Sequence, residues 1–110
     1  MKINTTEYKR VSVVTVDGRI DGSTSGEFES ELSTLAESGR VNLVLDLGAV
    51  EFISSAGLRV LVTTRKAVKG AGGEIVLAQP STQVVETLEI AGLDVLFEKY
   101  PSREAAVAAF

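Results

Sequence analysis

The sequence contains no cysteine, no histidine and no tryptophan among its 110 residues. Without cysteine or histidine, the chain can form no disulfide, no zinc finger, no thiol nucleophile and no imidazole base. These absences exclude most hydrolase, oxidoreductase and structural-zinc classes. Only carboxylates, hydroxyls and amines remain for chemistry, and we expect no cofactor.

Positive charge and long apolar runs are also scarce. The chain has 11 Lys and Arg against 15 Asp and Glu, a net charge of −4, which argues against binding nucleic acid or an anionic membrane. Its most apolar stretch, residues 41–53, is interrupted by Asp46 and Glu51 and falls short of the ~20 apolar residues of a membrane span. Residues 1–10 lack the apolar core of a signal peptide. We therefore expect a cytoplasmic protein that binds a protein or a small ligand.

The hydrophobic periodicity predicts an α/β fold in a single domain over residues 1–110. Strands are predicted at residues 2–8, 10–17, 41–47, 74–78 and 95–100. Helices are predicted from the Ser23–Thr24 caps to about Ser38, from the serines at 54–55 to Gly70, at 81–91 and at 102–110. The result is a mixed sheet of about five strands, an initial hairpin followed by βαβ crossovers, covered by about four helices.

Each of the longer helices has an apolar stripe that predicts its buried face. The predicted core residues are Phe28, Leu32 and Leu35, then Leu58, Leu61, Val62 and Val68, then Val84, Leu88 and Ala91. Residues 48–53 are predicted as a loop. Glycines at 70, 72 and 73 follow a helix and precede a strand, the reverse of the order in a phosphate-binding loop, so they predict a helix end and a turn.

Four carboxylates could line a site at the strand ends, where open α/β sheets usually bind ligands: Asp21, Asp46, Glu51 and Asp94. Paired-carboxylate catalysis requires a defined separation that a sequence does not provide, so a small carboxylate enzyme stays open as an alternative. For Asp46 the structural alternative is a strand-end acid bonded to neighbouring backbone N–H groups. For Asp21 it is an Asx-turn or a helix cap.

The segment Phe52-Ile53-Ser54-Ser55-Ala56-Gly57-Leu58 brings two adjacent hydroxyls to the first turn of a helix. Backbone N–H groups are unsatisfied there, so a serine can cap the helix. The same geometry also favours an anion, because N–H groups and the helix dipole would stabilise a phosphate on the hydroxyl. Capping and phosphorylation both remain open from these residues alone.

Four stretches in order resemble one known family. Residues 46–61, DLGAVEFISSAGLRVL, resemble the signature of anti-sigma factor antagonists, the bacterial single-domain members of the STAS family. The stretches VDGRID at 16–21, KGAGGEIVLA at 69–78 and LEIAGLDVLF at 88–97 resemble further elements of that family.

The resemblance implies a non-enzymatic switch. It implies that Ser55 is the phosphoacceptor, that Ala56 replaces a second hydroxyl found in some members, and that Ser54 replaces a common Asp. Asp21 matches the family acid near the partner surface. The implied partner-binding residues are Asp21, Ser54, Ser55, Ala56, Gly57, Leu58 and Arg59.

The implied partner is an anti-sigma factor with serine kinase activity, which binds the unphosphorylated chain and thereby frees a sigma factor. A phosphatase would restore Ser55, and we expect a monomer or weak dimer. The alternative that keeps the fold is a non-switching STAS scaffold in a signalling or transporter-associated complex.

Overall fold

Five strands and four helices follow one another along the chain in a computed structural model that describes all 110 residues. The strands are β1 Lys2–Tyr8, β2 Val11–Ile20, β3 Asn42–Ile53, β4 Glu74–Ala78 and β5 Lys99–Tyr100. The helices are α1 Ser25–Glu37, α2 Ser55–Gly70, α3 Thr82–Ile90 and α4 Arg103–Ala108, with a 3₁₀ turn at Asp94–Leu96. None of the helices is both long and apolar enough to cross a membrane.

The sheet confirms the predicted α/β architecture. Its strand order is β1-β2-β3-β4-β5, with an antiparallel β1–β2 hairpin and parallel pairing from β2 onwards. Parallel neighbours require crossover connections, which α1, α2 and α3 provide. The carboxyl ends of β2, β3 and β4 therefore lie at one edge, where these helices begin.

The core lies mainly between the sheet and one layer of helices. Phe28, Leu32 and Leu35 of α1 are buried as predicted and join one apolar cluster with α2, α3 and alternate strand residues. The opposite face of the sheet packs a smaller cluster against Ala106 of α4. In α2 the prediction was wrong for Val62, which is half-buried, because Val60 and not Val62 faces the core.

Residues 48–53 were predicted as a loop, and that prediction was wrong. They continue β3 because β2 also continues past its predicted end and supplies a pairing partner: Gly18 lies opposite Val50 and Ile20 opposite Ile53. Two register shifts accompany this extension, each with one extra residue in β3. The consequence for function is that the residues before Ser54 are rigidly paired.

The predicted strand at residues 95–100 was also largely wrong. Its first residues form the 3₁₀ turn, Val95 is 84% exposed, and only Lys99 and Tyr100 pair with β4. The apolar residues here do not alternate in burial, and Phe97 alone is buried. Ala91, predicted as core, lies just beyond α3 and is exposed.

The glycine-rich turn after α2 is confirmed. Gly72 has φ +85°, which favours glycine, and a Cβ at Gly73 would lie 2.1 Å from the carbonyl oxygen of Val41. The backbone of β3 and the turn therefore approach too closely for any side chain at Gly73.

Candidate functional site

The carboxyl edge of the sheet is held together by short hydrogen bonds. The backbone N–H of Ser54 donates to the carbonyl of Ile20 at 2.8 Å, so the end of β3 stays beside the end of β2. The hydroxyl of Ser81, the N-cap of α3, donates to the carbonyl of Val50 at 2.7 Å. The N-termini of α1, α2 and α3 thus meet at one edge, where their dipoles favour negative charge.

Ser54 and Ser55 have different roles in the structure. Ser54 is the N-cap of α2: its backbone is extended, and its hydroxyl oxygen accepts from the N–H of Gly57 at 3.2 Å. Ser55 is the first helical residue and is exposed, and its hydroxyl makes no hydrogen bond within the chain. The cap therefore explains Ser54 alone and leaves the hydroxyl of Ser55 free.

The next residues fix the first turn of α2 against the sheet. A Cβ at Gly57 would lie 2.7 Å from Cγ1 of Ile53 and 2.8 Å from Cγ2 of Ile20, so the helix approaches both strand ends at the limit that glycine allows. Leu58 is 8% exposed and belongs to the core. Gly57 has no side chain and Leu58 is nearly buried, so both position the turn, and their contact with a partner stays a prediction.

Only some of the predicted partner-binding residues in and before α2 are exposed. Ser55 and Arg59 are exposed and one helical turn apart, so they share a face of α2. Ala56 and Ser54 are half-buried. The first turn of α2 contains no acidic residue, so nothing in the helix itself opposes an anion at Ser55.

Asp21 organises the turn between β2 and α1. Its carboxylate accepts from the hydroxyl of Ser23 at 2.7 Å and from the N–H of Ser23 at 3.0 Å, and these bonds lower the pKa of Asp21 below its ordinary value. The Asx-turn alternative is therefore confirmed, although the side chain stays 32% exposed. Thr24 occupies the N-cap position of α1 but does not cap it, because its hydroxyl donates to the carbonyl of Arg19.

Two residues without a predicted role, Arg19 and Phe52, lie beside this site. They are paired across β2 and β3, and the guanidinium carbon of Arg19 lies 4.4 Å from the centroid of the Phe52 ring. Nε of Arg19 is 3.7 Å from Oδ2 of Asp21. The pair was missed because Phe52 was predicted in a loop and Arg19 lay beyond the predicted end of its strand; only the strand register brings them together.

Asp46 forms a separate polar cluster that is structural. The carboxylate is 3% exposed and accepts from Arg103 Nη2 at 2.6 Å, from Gln79 Nε2 at 3.0 Å and from the N–H of Gly48 at 3.2 Å. Burial by itself raises the pKa of Asp46, but the bonds from Gln79, Arg103 and Gly48 outweigh it and leave the pKa below the ordinary value. Asp46 thus fastens α4 to the sheet, and the predicted bond from a neighbouring backbone N–H is present.

Three of the four carboxylates considered for catalysis have different surroundings. Asp46 is committed to Arg103, Asp94 begins the 3₁₀ turn, and Glu51 is exposed on β3. No group of three or more acidic side chains is arranged to hold a metal ion. The largest groove, about 520 Å³, lies between Tyr8, Val11, Val107 and Phe110, at the amino ends of β2 and β3. It is therefore at the opposite edge of the sheet from Ser55.

Two sequence comparisons match nearly the whole chain. The family model for the STAS domain matches residues 2–106. BtrV of Bordetella bronchiseptica, an anti-sigma factor antagonist by name, is 36% identical over 110 residues, which is 100% of this chain and 95% of that protein.

Solved structures are similar over nearly the whole chain. An anti-sigma factor antagonist from Mycobacterium paratuberculosis superposes with a TM-score of 0.82 at 33% identity, covering 98% of this chain and 92% of that one. Bacillus SpoIIAA superposes with a TM-score of 0.86 in its unphosphorylated form at 17% identity, covering 98% of this chain and 95% of that one. Its phosphorylated form gives 0.80 at 16% identity and 98% coverage of both chains. The likeness to SpoIIAA concerns the fold alone.

Proposed function

The chain belongs to the STAS domain family, and from that premise we propose that it is an anti-sigma factor antagonist. In its unphosphorylated form it binds an anti-sigma factor and so frees a sigma factor for transcription. The relatives above 30% identity that carry this name support the proposal. The observation that carries it is the exposed, unbonded hydroxyl of Ser55 at the start of α2, beside a serine that already provides the cap.

We propose that Ser55 is the switch residue and that the partner is also its kinase. The kinase brings ATP and Mg²⁺, the Ser55 oxygen bonds to the γ-phosphorus as the bond to ADP breaks, and the hydroxyl proton leaves. The product carries about −1.5 to −2 charges at the surface that contacts the partner. Repulsion and the cost of desolvating that charge separate the two proteins, and a phosphatase restores the hydroxyl. Under this proposal the chain performs no catalysis itself.

The phosphate should not disturb the fold. The hydroxyl of Ser55 holds nothing in place, and the free backbone N–H groups and dipole at the start of α2 stabilise a negative charge there. The turn itself is held by the Ser54 cap and by the close packing of Gly57, neither of which needs the Ser55 hydroxyl. The switch therefore acts through the electrostatics of the interface.

Calorimetric titration against purified anti-sigma factors that carry a serine kinase domain tests the proposal. Ser55→Ala should bind as the wild type does and stay bound when ATP and Mg²⁺ are added, whereas Ser55→Asp should bind at least about tenfold more weakly. Ser30→Asp, which adds the same charge at an exposed position of α1, is the matched control and should bind normally.

Two results would count against this function. If Ser55→Asp binds as tightly as the wild type, Ser55 is not the switch. If the wild type binds stably but mass analysis finds no phosphate on Ser55 after incubation with ATP, the chain is a non-switching STAS scaffold.

A further inference from the structure

We propose that the stacked pair of Arg19 and Phe52 is an anchor of the partner interface, and that it receives a partner segment in which a carboxylate stands beside an apolar side chain. The inference rests on the proposed function, because it names the chemistry of the partner surface that covers Ser55. It concerns two residues that lie within the quoted motifs but to which neither the motifs nor the comparisons assign a role.

The pair of Arg19 and Phe52 is exposed, and each side chain supports the other. Phe52 is 38% exposed although it lies in a paired strand, and the side chain of Arg19 is 57% exposed. The ring supports one face of the guanidinium, and Asp21 lies near its Nε edge. A guanidinium held in this way loses little conformational freedom on binding, which improves affinity.

Arg19 also keeps hydrogen-bond donors that nothing in the chain uses. It makes no hydrogen bond through its side chain, and its single ion-pair contact is the 3.7 Å approach to Asp21. The remaining N–H groups of the planar fork match a carboxylate, which arginine binds with two parallel hydrogen bonds. The exposed ring beside it needs an apolar cover, so the complementary segment combines the two features.

The pair is also close to Ser55 along the two strands. Phe52 precedes Ile53, Ser54 and Ser55 directly, and Arg19 precedes Ile20, whose carbonyl is bonded to the N–H of Ser54. The pair therefore lies three residues before Ser55 along β3, at the ends of two paired strands, and we expect a partner that covers Ser55 to reach it. Arginine and aromatic side chains are also the types that most often dominate binding energy in interfaces.

A carboxylate on the partner also explains why phosphorylation would weaken binding. The phosphate on Ser55 would face a partner surface that is already negative, and repulsion between like charges in an interface weakens binding. The same phosphate would attract Arg19 and Arg59 away from the partner. The same negative charge on the partner then explains both its binding to Arg19 and its release when Ser55 is phosphorylated.

The test measures binding of the anti-sigma factor that the wild type binds in the titration above. Arg19→Ala and Phe52→Ala should each weaken binding about tenfold or more, and Arg19→Ala should make the dissociation constant less sensitive to salt. Arg19→Lys keeps the charge but loses the planar fork, so it should fall between wild type and Arg19→Ala. Thermal unfolding checks that each variant is folded, and Phe52→Leu replaces Phe52→Ala if the latter is not.

Arg10→Ala and Ile90→Ala are matched controls, because both side chains are exposed and lie outside this edge. They should bind within about twofold of the wild type. The inference is wrong if Arg19→Ala or Phe52→Ala also binds within twofold while Ser55→Asp is released; the proposed function would then stand without it. Tighter binding by Arg19→Glu would show a basic partner segment and also overturn the inference. If the wild type binds no anti-sigma factor, both proposals fall.

Discussion

Replacing Ser54 by alanine removes the N-cap of α2 without touching the neighbouring hydroxyl that we propose is phosphorylated. The structure gives Ser54 one capping bond, 3.2 Å to the N–H of Gly57. Loss of a serine cap typically costs about 1 kcal/mol. An unfolding entropy of about 2.1 cal/mol/K per residue, summed over this chain, converts that loss into a fall in Tm of about 4 °C.

Ser55→Ala is the matched variant, one residue away. Its hydroxyl makes no hydrogen bond in the chain, and alanine is the stronger helix former. We therefore expect its free energy of unfolding to stay within about 0.5 kcal/mol of the wild type.

Urea unfolding followed by far-UV circular dichroism compares the two variants directly. Ser54→Ala should lower the midpoint with an unchanged slope, because the exposed area on unfolding is the same. The reasoning is refuted if Ser55→Ala destabilises the protein more than Ser54→Ala does, since the cap would then belong to Ser55.

Three further predictions concern the packing of Gly57, the acid dependence due to Asp46 and the effect of a phosphate on Ser55. Gly57→Ala places a methyl group 2.7 Å from Ile53 and should cost about 1–3 kcal/mol in thermal unfolding, whereas an unchanged Tm would show that the turn can move away. Because the folded-state pKa of Asp46 lies below its ordinary value of 3.8, the stability it contributes is complete above that value and is lost as pH falls through the folded pKa. Asp46→Asn should therefore lower the free energy of unfolding at pH 7 by about 1–2 kcal/mol; the loss is no larger because Arg103 is partly exposed. In urea titrations the stability of this variant should depend less on acid pH than that of the wild type. An acid dependence equal to that of the wild type would contradict the prediction. Phosphorylation of Ser55 should shift backbone amide resonances only near the start of α2, and shifts throughout the sheet would rule out a purely interfacial switch.

The spacing of apolar residues predicted the helices and strands whose burial follows that spacing. The spacing of Phe28, Leu32 and Leu35 gave a buried helix face, and β4 has the predicted bounds. The end of β3 could not be predicted in this way, because residues 48–53 become a strand only through pairing with an extended β2. Pairing between strands that a helix separates in the sequence leaves no periodic pattern of apolar residues in either strand end.

The candidate site shows the same division. The motif indicated two serines at a helix start, but which one caps is decided by backbone dihedral angles: Ser54 is extended and Ser55 is helical. The stacking of Arg19 on Phe52 depends on strand register, which a single sequence does not provide. The residue types predicted hydroxyls at a helix start, and the structure showed which hydroxyl caps the helix and which one is free.

The central claim is that a phosphate on Ser55 alone releases the partner. The most direct measurement is the dissociation constant of the anti-sigma factor complex for protein carrying one phosphate, on Ser55, compared with unmodified protein at the same ionic strength. The account predicts binding at least about tenfold weaker for the phosphorylated form. Equal dissociation constants for the two forms would contradict it.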